Sequence, residues 1–280
     1  MSRANFFKEF FKNADLELED LLLLESFQLS YLPGWVPEDA FSTVLFQHPA
    51  IRRFMVKKCP EIGDFISKVI EEGEPASCTE RILEAEDELI WTIADLLVYN
   101  KCPEVYDNLA FHQWDFNEIM GITSLDGKVV VEGGAGTGKV TFRIAKFAHQ
   151  VFAVEPVGRL RQFLREKVAE KDFRNIFVLD GFLNAIPLPD NIGDVLITSH
   201  ALGWHLEEEL LEFERIVKPG GFIIHCPGTA LSSGDEDPTH LALISPEWGY
   251  EMSIYQEPDG PKRKYWKKTN PGDTSCSPAT

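Results

Sequence analysis

Hydrophobic positions change their spacing twice along the chain. Up to about residue 122, apolar side chains recur every three or four positions. They do so in ADLELEDLLLLESF, AFSTVLFQHPAIRRFMVKKC, EIGDFISKVIEEG and TERILEAEDELIWTIADLLVYN. That period holds one face of a helix apolar, so these segments predict helices. Pro33-Gly34, Pro37, Pro60, Pro75 and Pro103 punctuate them. Thr79 is placed to cap a helix from Glu80 to Tyr99. The opening MSRANFFKEFFKN sets Phe6, Phe7, Phe10 and Phe11 among charges. It predicts a helix packed on its own unit, and it reads as neither a signal peptide nor a membrane span.

After Gly127 the pattern becomes short runs rich in β-branched residues. KVVVE (128–132), VFAVE (151–155), NIFVLD (175–180), DVLITS (194–199) and GGFIIHC (220–226) lack polar alternation. VTFRIAKFAHQ, RLRQFLREKVAE and HLEEELLEFERIVK separate them as helical stretches. Uniformly apolar strands joined through helices predict a parallel sheet covered on both faces, hence an α/β fold. The period shifts again near the end. GYEMSIYQ (249–256) and KRKYWKK (262–268) flank EPDGP, which predicts an antiparallel hairpin at one sheet edge. NPGDTSCSPAT is a polar tail expected to be disordered. Three parts follow: a helical module over 1–122, an α/β domain over 123–270, and a flexible tail over 271–280.

Charge alters this picture in one respect. The 280 residues carry a net −18, and such a surface repels phosphate backbones, which argues against a nucleic-acid partner. The excess is uneven: residues 1–122 hold 10 basic and 23 acidic side chains, and 123–280 hold 17 and 22. The first segment is therefore expected to be a distinct module. Cys59, Cys78, Cys102, Cys226 and Cys276 are scattered without a C-x-x-C pair. That suits reduced thiols in a cytoplasm, and no metal-ligand cluster is expected.

The candidate chemistry lies in VVVEGGAGTGKVT, 129–141. Gly133, Gly138 and Lys139 imitate a phosphate-binding ATPase loop. That loop needs Ser or Thr directly after the lysine to reach magnesium, and Val140 stands there. A dinucleotide G-x-G-x-x-G also fails, because Lys139 or Ala135 falls where glycine is required. The frame Glu132-Gly133-Gly134-Ala135-Gly136-Thr137-Gly138 closes without a gap. It resembles motif I, D/E-x-G-x-G-x-G, of the class I S-adenosylmethionine-dependent methyltransferases.

Further stretches resemble the same family in its order. Glu155 ends the second strand, DGFLNAIPLPDN begins at Asp180, DVLITSHAL begins at Asp194, and ERIVKPGGF spans 214–222. The resemblance covers about residues 106–226 and implies a Rossmann-like methyltransferase sheet. Its small-molecule branch, around quinone-biosynthesis methyltransferases, is the nearest in pattern. Gly133 departs from the Val or Ile common there, and the helical N-terminal segment matches no pattern of the family.

Several roles are implied by this resemblance. Gly133, Gly134, Gly136 and Gly138 would let the backbone approach S-adenosylmethionine, and Glu132 would face its methionine end. Glu155 would take the ribose hydroxyls, with Pro156 beside the adenine. Asp180, Gly181 and Phe182 would frame the adenine. Ser199 and His200 would follow the fourth strand, and Trp114 would cover the cofactor. His200 is the foremost candidate proton acceptor, ahead of His112, His205 and His225. The expected reaction is methyl transfer to a small molecule with S-adenosylhomocysteine as product. A non-catalytic cofactor-binding or partner subunit is the alternative, with a P-loop NTPase behind it, and the helical module is a candidate pocket wall or homodimer interface.

Overall fold

A computed structural model describes residues 2–231 and 236–270. The expected tail, with Cys276, lies outside the described residues. The chain divides into two compact units, residues 1–108 and 109–280.

Unit 1 is helical: α1 (Arg3–Phe10), α2 (Ser26–Leu29), α3 (Glu38–Gln47), α4 (Pro49–Lys58), α5 (Gly63–Glu72), α6 (Thr79–Thr92), α7 (Ala94–Lys101) and α8 (Pro103–Asp107). Leu21, Leu29, Phe41, Leu45, Met55 and Leu89 are fully buried in its core. Burying each such side chain contributes about 1.5–3 kcal/mol. Truncating Phe41 to alanine would cost about 3–5 kcal/mol.

Three helix expectations are corrected here. ADLELEDLLLLESF does not form one helix; it splits into a 3-10 turn over Leu18–Leu23 and the short α2. Its buried leucines, Leu18, Leu21 and Leu24, are three apart, the repeat of the tighter helix. AFSTVLFQHPAIRRFMVKKC breaks at His48, because Pro49 starts α4 and cannot continue α3. The helix expected from Glu80 to Tyr99 breaks at Ile93, and Cys78 rather than Thr79 precedes it as the cap residue.

Unit 2 begins with a 3-10 turn (Ala110–His112) and α9 (Asn117–Met120) and then forms β1 (Val129–Gly133), α10 (Thr141–Ile144), β2 (Gln150–Val154), α11 (Gly158–Glu170), β3 (Ile176–Leu179) and β4 (Gly193–Ser199). It closes with α12 (Leu206–Ile216), β5 (Val217–Cys226), α13 (Pro238–Leu243), β6 (Glu251–Glu257) and β7 (Gly260–Lys268). The sheet order is β3-β2-β1-β4-β5-β7-β6. Strands β1 to β5 pair in parallel, and β7 is antiparallel to both β5 and β6. The α/β sheet with its edge hairpin is the architecture expected from sequence.

Helix α10 is shorter than VTFRIAKFAHQ predicts. The carbonyls of Ala145 and Ala148 accept from Asn175 Nδ2 at 2.9 and 3.0 Å, which diverts them from a continuing helix. Two core clusters cover the sheet, one including Val130, Val151 and Ile197 and the other Val131, Val154 and Leu196. Alternate residues of one strand thus serve opposite faces, as a doubly covered sheet demands.

Some family-like residues work at the amino end of the sheet. Asp194 Oδ2 accepts from the Val129 amide at 2.8 Å, and its Oδ1 accepts from Lys218 at 2.7 Å. Burial works against its charge, but these two hydrogen bonds outweigh it and hold the carboxyl below its usual range. Asp194 and Lys218 therefore staple β4 and β5 to the start of β1.

Candidate functional site

Strand order turns around at β1, which has β2 on one side and β4 on the other. In an open sheet, ligands bind beyond the carboxyl ends of the strands at that switch. The glycine loop leaves β1 at this point.

Backbone conformation explains the loop's composition. Gly134, Gly136 and Gly138 have φ of 70°, 53° and 87°, values that L side chains resist. At Gly134 a Cβ would also stand 2.2 Å from Ala201 Cβ. Gly133 has a different reason. A Cβ there would meet Leu183 Cδ2 at 2.5 Å, so Leu183 occupies the room that a Val or Ile at 133 would take.

The loop is fastened to β2. The Gly134 and Ala135 amides both donate to the Val154 carbonyl, at 2.9 and 3.0 Å. Glu155, buried at 4 % exposure, accepts from the Gly136 amide at 2.8 Å and the Val157 amide at 2.9 Å. Both carboxylate oxygens thus hold backbone, and each keeps further acceptor capacity.

Glu132 lies on the inner side of the loop with 2 % exposure. Thr141 Oγ1 donates to its Oε2. Burial raises its pKa to about 8; the Thr141 hydrogen bond lowers it, and the neighbouring Glu155 charge raises it. Thr137 Oγ1, between two of the loop glycines, is buried and makes no hydrogen bond among the described residues. A buried hydroxyl without a partner costs about 1–3 kcal/mol, which a polar ligand atom could recover.

Arg161, in the first turns of α11, ties the ends of β2 and β3 together. Its Nη1 donates to the carbonyls of Glu155, at 2.8 Å, and Pro156. The same nitrogen lies 2.9 Å from Asp180 Oδ1. The Asp180 carboxylate is 66 % exposed, and Phe182 beside it is 39 % exposed. Gly181 is packed so closely that a Cβ would lie 2.6 Å from Pro187 Cδ. Pro156 is half-buried.

His200 follows β4 with φ 55°, an uncommon conformation for a non-glycine residue that costs of order 1–3 kcal/mol. Its Nδ1 is 3.0 Å from Ser199 Oγ, and its Nε2 is 3.1 Å from Glu257 Oε1. Glu257 ends β6, its side chain is 1 % exposed, and it also accepts from the Tyr255 hydroxyl. The end of the edge hairpin therefore reaches His200. Past His200 the loop is anchored by Glu209, whose carboxylate accepts from the amides of Gly203, Trp204 and His205 at 2.8, 3.1 and 3.0 Å.

The other histidine candidates lie in different settings. His225 is fully buried, with Nδ1 2.8 Å from Thr198 Oγ1 and Nε2 3.2 Å from Tyr250 Oη. Burial pushes its pKa down to about 3 and nearby Lys267 adds to this, so it is a neutral core residue. His205 is exposed at the start of α12. His112 is half-buried next to Phe111. Trp114 is 5 % exposed, meets Tyr255 edge-on at 5.6 Å and belongs to a core cluster. Cys226 is buried, and burial raises its thiol pKa to about 12.

The structure gathers Glu132, the loop glycines and Glu155 around one turn, and Asp180 joins them through Arg161. Ser199 and His200 meet the loop through Ala201. The sequence reading missed Arg161, Thr137, Glu209 and Glu257. Arg161 carried a signal, since a cation in a helix's first turns opposes the helix dipole.

Residues 131–225 match the family model described as "Methyltransferase domain". An uncharacterized methyltransferase of Geobacillus sp. (strain WCH70) is 28 % identical over 107 residues, covering 37 % of this chain and 48 % of that protein. An uncharacterized methyltransferase-like protein of Schizosaccharomyces pombe is 35 % identical over 95 residues, covering 33 % and 35 %. The chain thus spans less than half the length of these curated relatives. A SAM-dependent methyltransferase structure from Aquifex aeolicus is 20 % identical with a TM-score of 0.48, covering 59 % of this chain and 97 % of that one.

Proposed function

We infer that this chain, whose residues 131–225 match a methyltransferase domain, is a class I enzyme that transfers a methyl group from S-adenosylmethionine to a small-molecule acceptor. The observation that carries the reading is the loop of Gly134, Gly136 and Gly138. It is held in left-handed conformation at the strand-order switch, with Glu132 and Glu155 buried on its inner side.

The residues present fit this cofactor. The backbone can approach a ligand where side chains would clash, and Thr137 offers an unpaired hydroxyl. Glu132 would bind the cationic ammonium of the methionine end, whose charge favours ionisation of a carboxyl otherwise held neutral. Glu155 would accept from the ribose hydroxyls with the capacity its amide bonds leave open. Asp180, Gly181 and Phe182 would border the adenine, and Pro156 would touch its face. When bound, S-adenosylmethionine supplies a sulfonium that activates its methyl group for in-line displacement. The protein's share is alignment and exclusion of water.

His200 would accept the acceptor's proton. Glu257 acts as a positioning residue: it fixes the ring and favours hydrogen on Nε2, which leaves Nδ1 basic on the side of Ser199. This arrangement suits an acceptor that must lose a proton, such as a hydroxyl, phenol or thiol. The scattered thiols support a reducing, cytoplasmic setting. Among the described residues no helix is long and apolar enough to cross a membrane.

Calorimetry with S-adenosylmethionine, S-adenosylhomocysteine and magnesium-ATP tests the reading. Binding of the first two is expected, and binding of ATP alone overturns it.

A further inference from the structure

Unit 1 carries two charged surface features without ion-pair partners among the described residues. One is a groove of about 450 Å³ between α4 and α5. Arg52, Arg53, Val56 and Lys57 form its α4 wall, and Ile66 and Ile70 face them from α5. Residues four apart share a helix face, so Arg52 and Val56, Arg53 and Lys57, and Ile66 and Ile70 stand as three ordered stripes. The floor is apolar and the rim cationic.

This rim is out of place in its surroundings. Arg52, Arg53, Lys57 and Lys58 are four of the 10 basic residues in a segment with 23 acids. Arg52, Arg53 and Lys57 make no ion pair or side-chain hydrogen bond among the described residues. Lys57 and Lys58 suit the negative end of the α4 dipole. Arg52 and Arg53, in the first half of the helix, gain nothing from it. Helix stability therefore leaves their placement unexplained.

The second feature lies on α6. Glu80, Glu84 and Glu88 are exposed on one face and have no ion pair among the described residues. Leu83, on the same face, is 57 % exposed. The opposite face carries Ala85 and Leu89 into the core. Asp87, on the same face, pairs with Lys8 of α1; the three unpaired acids carry the charge that answers a cationic rim, and the leucine suits an apolar floor.

We propose that two copies of this chain associate through these surfaces, each seating its α6 face in the other's α4–α5 groove. A two-fold contact brings the same surfaces of both copies together, so this association places the α6 face and the α4–α5 groove on one side of unit 1. The partner's Leu83 enters between Val56, Ile66 and Ile70. The partner's Glu80, Glu84 and Glu88 lie along Arg52, Arg53 and Lys57. Glu71, which also lines the groove, faces the partner's Arg81, an exposed cation of the same helix. Charges on the groove's rim are screened by salt, while the leucine contact is not. The dimer therefore weakens as salt rises without vanishing.

Sedimentation velocity on the full chain tests this, with folding checked by circular dichroism. The wild-type chain is expected to be dimeric at tens of micromolar. Arg53→Glu with Lys57→Glu, and separately Glu80→Lys with Glu84→Lys, should each raise the dimer dissociation constant at least about tenfold. An equal mixture of the two reversed chains should restore a dimer. Leu83→Gln, at an exposed position, should weaken association independently of charge. A monomeric wild type overturns the proposal. So does a dimer indifferent to both reversals, or a mixture of folded reversed chains that stays monomeric.

Discussion

The carboxylate of Glu155 accepts a hydrogen bond from the backbone amide of Gly136 at 2.8 Å. With the Val157 amide on its other oxygen, this side chain shapes the loop before any ligand arrives. Glu155→Ala should therefore do two things. It should strand two buried amides and lower stability by about 2 kcal/mol or more, and it should weaken S-adenosylhomocysteine binding at least about tenfold. Chemical denaturation and calorimetry read the two effects separately. Loss of stability with unchanged affinity would show that Glu155 serves the loop alone.

Glu132 and His225 give stability opposite dependences on pH. The folded pKa of Glu132 is about 8 against an ordinary 4.5. The folded state therefore binds the extra proton, and this residue's contribution falls as pH rises from 4.5 through 8. His225 sits at about 3 against 6.5. Its unfolded form binds the extra proton, so stability is lost as pH falls from 6.5 towards 3. Melting temperatures across pH should show Glu132→Gln flattening the alkaline limb and His225→Gln the acid limb. Equal slopes in variant and parent would refute the assignments.

Ligand binding should reveal the Glu132 proton directly. A cationic ammonium favours the carboxylate, so S-adenosylmethionine binding near neutral pH should release protons. Calorimetry in two buffers of different ionisation enthalpy should detect the release, and Glu132→Gln should abolish it.

Gly134 tests loop geometry apart from charge. Gly134→Ala places a methyl 2.2 Å from Ala201 Cβ and strains φ at 70°. We expect a cost of about 1–3 kcal/mol and loss of cofactor binding. Adding Ala201→Gly should relieve the clash but not the strain, so recovery should be partial. Full recovery would show that the left-handed conformation is immaterial.

Glu257→Gln should lower turnover by about ten- to a hundredfold while leaving cofactor affinity unchanged. The assay is S-adenosylhomocysteine formation with cell extract as the acceptor source. His200→Ala should cost at least as much, and the double variant no more than His200→Ala. Additive losses would separate the two residues.

Much of this arrangement was legible because local rules and the fold agree. The five parallel strands stood out as uniform apolar runs, and the edge hairpin as two runs around EPDGP. The acids at 132 and 155 were visible because a charge ending such a run is conspicuous. Arg161 and Glu257 were not, since Asp180 and His200, their partners, come close only through the sheet. Glu209 sits in a run of acids at 207–209 whose members look alike in sequence. Only the loop geometry separates the one that accepts three amides. The 3-10 turn at Leu18–Leu23 was hidden because three- and four-residue spacings overlap in so short a leucine run.

The fastening of the glycine loop to Val154 and Glu155 bears on how this chain can change over time. Folding alone penalises replacement of Glu155 and Gly134, whatever chemistry the protein performs. A descendant that had discarded its acceptor pocket would still keep the loop's shape and most of its signature. The motif is therefore a durable record of ancestry, while the proposed site residues Ser199 and His200, whose side chains hold no part of that loop, are the positions where a change of trade would first be written.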